Sequence, residues 1–209
     1  MKKKLKSYIE DLQKDKLNAE LVPLFEYAQK HETPIISEEG RQFLLQMLSI
    51  SQAKRVLEIG TAIAYNALSI TLNTDCEVVT IERDSKMIEE AKKNIDTLNM
   101  NERITLIEGD ALEVDLDTLG SFDVIFIDAA KAQYINFFER YQGLLKSNGL
   151  IIADNLLFHG LIVEDVDSRN LRQLLRKIDN FNQYVVNNPK YDTSFYQLGD
   201  GMSVSIKKV

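Results

Sequence analysis

Between Lys54 and Asp154, five short β-branched runs alternate with helical stretches, and this alternation constrains the fold more than any other feature. The runs are "KRVLEI", "CEVVTIE", "RITLIEG", "FDVIFID" and "GLIIAD". Most are apolar at nearly every position, the pattern of strands covered on both faces. Helical segments over 63–72, 84–98 and 131–145 separate them. Such repetition predicts a parallel α/β sheet with right-handed crossovers and helices on both faces. After the helical stretch "SRNLRQLLRKIDNFNQYVVNN" the pattern changes. "TSFYQL" and "MSVSIKKV" flank "GDG" and read as two strands joined by a glycine turn. A hairpin added to a parallel sheet requires an antiparallel strand.

The first fifty residues read as extra helices. "NAELVPLFEYAQKHE" and "SEEGRQFLLQMLSI" carry apolar residues at helical spacing, with Phe43, Leu44, Met47 and Leu48 in the second. Ser37 is placed as its N-cap, and Glu38 and Glu39 fall in the first turn, where the helix dipole favours acids. This region is too short to stand alone, so residues 1–209 read as one domain: a helical region over 1–50 on a sheet core over 54–209. No apolar run approaches the roughly eighteen residues of a membrane span. The start, "MKKKLKSYIEDLQ", lacks the apolar segment of a secretory signal, and a single cysteine, Cys76, excludes an intramolecular disulfide. Together these point to the cytoplasm. A formal net charge of −7 excludes a whole-body basic field, so any RNA contact must use local patches.

Ligands of open α/β sheets bind outside the carboxyl ends of the strands. Here those ends read Glu58-Ile59-Gly60, Glu82, Gly109-Asp110, Asp128 followed by Ala129-Ala130-Lys131, and Asp154-Asn155. Acids gathered on one rim repel unless a cation or hydrogen-bond donors compensate. Glu82 stands 22 positions after Gly60, near the spacing of a ribose-binding acid, although an exposed strand-end acid would look the same. The loop "EIGTAIAYN" keeps Gly60 but has Ala62 and Ala64 where a dinucleotide loop places glycine. The Ala62 methyl and the Glu58 charge both disfavour a pyrophosphate. An adenosyl ligand with an ammonium and a sulfonium fits better, which favours S-adenosylmethionine over NAD.

Asp128, Asp154 and Asn155 offer only oxygen ligands, suited to a hard cation such as Mg²⁺. The competing reading is a helix cap at Asp128 and a turn at Asp154-Asn155. Lys131 follows Asp128 by three residues and opens a helix beside that proposed cation, a setting for a lysine that accepts a proton; a solvated lysine is the alternative. Two basic features could meet RNA: Lys2, Lys3, Lys4 and Lys6 at the start, and Arg169, Arg172 and Arg176 near one face of a helix. A solvated charged surface is the competing reading of both, and the commoner one for any charge run. Tyr65, Phe158 and His159 could flank a splayed base, or simply pack.

Three motifs, "VLEIGTAIAYNAL", "FIDAAKAQYINFF" and "LIIADNLLFHG", together resemble the cation-dependent O-methyltransferases related to the catechol and caffeoyl-CoA enzymes. The resemblance runs from about Ile36 to the C-terminus. It extends to the bacterial branch that includes the tRNA 5-hydroxyuridine methyltransferase, through the chain's length, lysine-rich start and "NLLFHG". It implies a Rossmann-like class I methyltransferase fold, with a seven-stranded sheet and a reversed last strand. It implies that Ile36, Glu58, Gly60, Asn66, Glu82, Asp110, Ala111 and Asp128 line the S-adenosylmethionine site. It implies further that Asp128, Asp154 and Asn155 hold the metal, that Lys131 is the catalytic base, and that the enzyme is a homodimer. Asn66 stands where relatives often carry serine, and either side chain can bond the cofactor's carboxylate. Ala130 stands where plant caffeoyl-CoA enzymes carry an acid that meets substrate. A catechol and the tRNA wobble 5-hydroxyuridine each present two adjacent oxygens, so either could be the acceptor. A non-catalytic nucleotide- or RNA-binding module is the reading of another class.

Overall fold

Seven strands form one sheet: β1 (Arg55–Ile59), β2 (Glu77–Glu82), β3 (Ile104–Glu108), β4 (Phe122–Ile127), β5 (Leu145–Ala153), β6 (Tyr191–Tyr196) and β7 (Met202–Lys207). Their spatial order is β3-β2-β1-β4-β5-β7-β6. The first five pair in parallel, and β7 runs antiparallel to both β5 and β6. The reversed strand expected from the terminal hairpin is therefore present. This computed structural model describes residues 17–208 together with Lys4, Tyr8, Asp11 and Leu12. Lys2, Lys3 and Lys6 lie outside the described residues; Lys4 is helical and exposed.

The near-continuous apolar runs are explained by cover on both faces. Val56, Val78, Val124 and Phe126 point into one core, against α1 (Val22–His31), α2 (Glu38–Ile50), α3 (Tyr65–Asn73) and α4 (Ser85–Thr97). The intervening Leu57, Val79, Ile125 and Ile127 point into a second core, against α5 (Tyr134–Tyr141) and α6 (Arg169–Val186). Alternate residues of a strand face opposite ways, so a strand buried on both sides must be apolar throughout.

Local signals set most boundaries. The Ser37 hydroxyl accepts from the Gly40 amide at 3.1 Å and starts α2 as expected. Asp84 caps α4, accepting from the amides of Lys86 and Met87. The helix expected over 131–145 is shorter. Lys131–Gln133 form a 3₁₀ turn, α5 follows, and a second 3₁₀ turn over Gln142–Leu144 leads into β5. Leu145 already pairs with Phe122 in the sheet, which ends any helix before it. Among the described residues, no helix is long and apolar enough to cross a membrane.

Candidate active site

The sheet ladder continues past the strand ends and stacks the rim residues in register. The Gly60 amide donates to the Ile81 carbonyl, Asp128 to Ile59, Asp154 to Ile127, and Gly109 to Glu82, at 2.7–3.1 Å. Backbone geometry thus aligns the acids before any side-chain contact forms. A cavity of about 590 Å³ opens over this rim. Its wall includes Ile36, Glu58, Gly60, Asn66, Glu82, Asp110, Ala111, Asp128, Lys131 and Asn155. Asp154 lies behind that wall, only 3% exposed.

The loop after β1 keeps a glycine-like path without the glycines. Gly60 has φ +102°, and a Cβ there would lie 2.1 Å from the Asp128 carbonyl oxygen. Ala62 and Ala64 are left-handed as well, at φ 47° and 64°. That conformation costs an L-residue roughly 1–2 kcal/mol. Two contacts hold it: the Ala62 amide donates to Glu82 Oε2 at 2.9 Å, and the Ala64 amide to the Thr61 carbonyl. Glu82 Oε1 also accepts from the amides of Arg83 and Asp84, so one carboxylate ties the loops after β1 and β2 together.

Glu58 is the most buried acid of the rim, 1% exposed. Its strand register places it beside Thr80. Thr80 Oγ1 donates to Glu58 Oε2 at 2.5 Å, and Asn66 Nδ2 to Oε1 at 2.8 Å. Thr61 Oγ1 lies 2.6 Å from Thr80 Oγ1 and extends the network. Burial pushes the Glu58 carboxyl up to about 7; the bonds from Thr80 and Asn66 oppose that rise, and the nearby Asp128 and Glu82 charges add to it. Asp110 shifts the other way: the Leu112 amide and the Arg83 guanidinium, 3.0 Å away, hold it below its ordinary value against partial desolvation.

At the β4 and β5 ends, Asn155 bridges two carboxylates. Its Nδ2 donates to Asp128 Oδ1 at 2.7 Å and its amide to Asp154 Oδ1 at 2.6 Å. Desolvation raises both carboxyls, and the charge of Asp128 raises Asp154 further. Asp128 is not a helix cap, because the turn at Lys131 has Ala130 as its N-cap residue and no side-chain cap bond. Among the described residues no three His, Cys, Asp or Glu side chains converge to hold a metal. The donor set here is two carboxylates and one amide, all able to present oxygen. Two adjacent desolvated carboxylates with a neutral bridge fit a hard divalent cation. Tyr134 supports them from below: its hydroxyl donates to the Asp154 carbonyl at 3.0 Å and its ring meets Phe181 edge-on.

Lys131 shares the cavity wall, with its Nζ 5.9 Å from the centroid of the Phe158 ring. Phe158, His159 and Gly160 are three consecutive left-handed residues. They are clamped to the β6–β7 hairpin, where the Leu156 and Leu157 amides donate to the carbonyls of Gly201 and Asp200 and the His159 amide donates to the Asp200 carboxylate. Tyr65 is on the cavity wall, whereas Phe158 and His159 are not. Arg169, Arg172 and Arg176 are exposed at the start of α6, away from the cavity. Arg172 and Arg176 line a separate concavity together with Glu164, Asp165, Asp167 and Asp179.

Family comparison agrees with this geometry. The O-methyltransferase family model matches residues 11–208. The chain belongs to that family. A caffeoyl-CoA O-methyltransferase of Populus kitakamiensis is 30% identical over 177 residues, 80% of this chain and 75% of its own length. A catechol O-methyltransferase of Niastella koreensis is 29% identical, covering 83% and 82%. Among solved structures, a Staphylococcus aureus protein provisionally described as a caffeoyl-CoA O-methyltransferase superposes with TM-score 0.91 at 39% identity, covering 97% of this chain and 98% of its own. A Podospora anserina methyltransferase solved with S-adenosylhomocysteine superposes at 0.85 with 27% identity, covering 99% and 95%. This O-methyltransferase is thus an S-adenosylmethionine-dependent enzyme of the caffeoyl-CoA and catechol type, and the non-catalytic reading is set aside.

Sequence reasoning passed over Thr80, Thr61, Arg83 and Tyr134. Thr80 had a usable signal: a polar residue inside the otherwise apolar "VVTI" of a strand buried on both faces. Arg83 and Tyr134 had none, since a surface arginine and a helix-opening tyrosine are ordinary.

Proposed function

We propose that this O-methyltransferase works with a divalent cation held by Asp128, Asp154 and Asn155, and that its acceptor is 5-hydroxyuridine at the tRNA wobble position. One observation carries the cation reading: two desolvated carboxylates bracket Asn155 beside Lys131, at the edge of the cofactor cavity. When bound, the cation supplies Lewis-acid polarisation of the acceptor hydroxyl. Lys131 Nζ takes the hydroxyl proton. The acceptor oxygen then bonds to the methyl carbon as the sulfur–carbon bond breaks, leaving S-adenosylhomocysteine. The rim holds donor and acceptor in line for that transfer.

The acceptor reading is supported by three features. The 5-hydroxyl and 4-carbonyl of 5-hydroxyuridine form the adjacent oxygen pair that the donor set suits. The Phe158 ring, outside the cavity wall but near Lys131, is the aromatic side chain proposed to meet a splayed loop base. Ala130 supplies no acid for a phenylpropanoid-CoA substrate. The working unit, as the family resemblance implies, is a homodimer; Lys4 and Arg169 are the exposed basic residues proposed for the RNA, with Lys2 and Lys3 beside Lys4 in sequence.

A second reading, a small catechol-type acceptor, draws on the surface near α6. There Arg172 and Arg176 are outnumbered by four acids in their own concavity, which weakens attraction for a phosphate chain. The test is direct. Purified enzyme is incubated with S-adenosylmethionine and Mg²⁺, and either 5-hydroxyuridine-containing tRNA or a catechol. Formation of 5-methoxyuridine, abolished by chelator and absent from a strain lacking the gene, is the expected result. Methylation of the catechol with untouched tRNA would establish the second reading; full activity in chelator would remove the cation.

A further inference from the structure

Arg140 and Tyr141 end α5, and neither is part of the cavity wall. Both turn to the loop after β3, whose Asp110, Ala111 and Leu112 do line the cavity. Tyr141 is fully buried, and its hydroxyl donates to the Ala111 carbonyl at 2.6 Å. Arg140 Nε donates to the same carbonyl at 3.2 Å, and its Nη2 to the Val114 carbonyl. Two donors on one carbonyl fix the plane of the peptide that joins Ala111 to Leu112. In a trans peptide the carbonyl and the amide point opposite ways. With the carbonyl drawn toward α5, the Leu112 amide is turned back and donates to Asp110 Oδ1 at 2.9 Å. Arg83 holds Oδ2 at 3.0 Å. Two side chains outside the cavity therefore aim a carboxylate inside it.

Strand order says which part of the cofactor that carboxylate meets. The transferred methyl must face the acceptor side, at the ends of β4 and β5. Glu82, at the end of β2, has the spacing of a ribose acid. β3 lies one strand further out, so its loop meets the base. Adenine offers a 6-amino donor, which a carboxylate accepts; a 6-oxo purine would set an acceptor against it. Resting on the S-adenosylmethionine reading of this cavity, we infer that Tyr141 and Arg140 are positioning residues for the cofactor's base: through the Ala111 peptide they set the aim of Asp110, and with it the preference for a 6-amino over a 6-oxo purine. Contact with the base belongs to Asp110; α5 contributes the angle at which that carboxylate is presented. Both ends of one helix thereby serve the rim, Tyr134 beneath Asp154 and Tyr141 beneath Ala111.

Calorimetric binding tests this with two probes, S-adenosylhomocysteine and its 6-oxo analogue S-inosylhomocysteine. The wild-type enzyme is expected to bind the first about tenfold or more tightly, the range of a hydrogen bond to a charged group. Asp110→Ala should erase that preference. Tyr141→Phe removes only the hydroxyl and should shrink the preference at least threefold, with most of the loss on S-adenosylhomocysteine; Arg140→Met should act in the same direction. Tyr184→Phe is the control, because it removes a tyrosine hydroxyl bonded to Glu139 of the same helix and should leave the preference at its wild-type value. A purely structural role for Tyr141 would weaken both probes equally and leave their ratio unchanged, which would overturn the inference. A preference that survives Asp110→Ala, or a Tyr184→Phe effect matching that of Tyr141→Phe, would also overturn it. If Tyr141→Phe and Arg140→Met do not fold, the wild type and Asp110→Ala decide: equal affinity of the wild type for the two probes overturns it. Failure of S-adenosylhomocysteine itself to bind would instead overturn the cofactor assignment of the cavity, and the inference with it.

Discussion

The two halves of the rim are built by different means. On the β1–β2 side, backbone does most of the work: Gly60 pressed on the Asp128 carbonyl, left-handed Ala62 and Ala64, and Glu82 gathering three amides. On the β4–β5 side, side chains dominate: Asp128, Asn155 and Asp154 in a chain, Lys131 beside Phe158, and Tyr134 beneath. Every family member must hold the same cofactor, so a fixed backbone mould suits the first half. Acceptors differ between members, and side chains on a separate loop can change without disturbing that mould.

If the halves are separable, damage to one should spare the other. Lys131→Ala is expected to lower turnover by roughly 10²–10⁴-fold, the range of a lost general base, while S-adenosylhomocysteine affinity measured by calorimetry stays within about threefold. A parallel fall in both would break the distinction. Gly60→Ala probes a contact that joins the halves. The added methyl would sit 2.1 Å from the Asp128 carbonyl oxygen at a positive φ, so chemical denaturation should show a loss of roughly 2–4 kcal/mol, and cofactor binding and turnover should fall together.

A pH series sharpens the comparison on the cofactor side. Glu58 titrates near 7 in the folded protein against 4.5 as a free group. The folded state therefore holds more protons between those values, and stability declines as pH rises through that window. The expected decline is on the order of 3 kcal/mol by urea titration, and Glu58→Gln should flatten it. A profile of unchanged slope in that variant would show that Glu58 is not its source. The smallest effect is expected from Ala62→Gly. Relief of the left-handed alanine should raise stability by about 1 kcal/mol, seen as a higher melting temperature with little change in turnover.

The same division governs what was legible in the chain. Strand-end acids were readable because each closes a distinct apolar run and the sheet brings all such ends to one edge. Ser37 as a cap and the terminal hairpin were readable from local chemistry. Ala62 and Ala64 were half-readable: the lost glycines do add methyl groups, yet the backbone keeps its left-handed path because Glu82 and Thr61 hold it. The run Phe158-His159-Gly160 was not readable, since a phenylalanine has no local reason to take a positive φ, and the hairpin that holds the run lies some forty residues on. Asn66 was named through the family resemblance, and its hydrogen bond to Glu58 was not readable, because only the fold brings the start of α3 against the end of β1.

The clamp between the 156–160 loop and the hairpin turn also bears on redesign. A Cβ at Gly201 would lie 2.3 Å from the Leu157 side chain, and Asp200 takes amides from both Leu157 and His159 through its backbone and side chain. Loop and turn therefore behave as one cassette. Transplanting a relative's version of this loop alone would leave its backbone without a seat; moving it together with the matching hairpin tip is the exchange this architecture can accept.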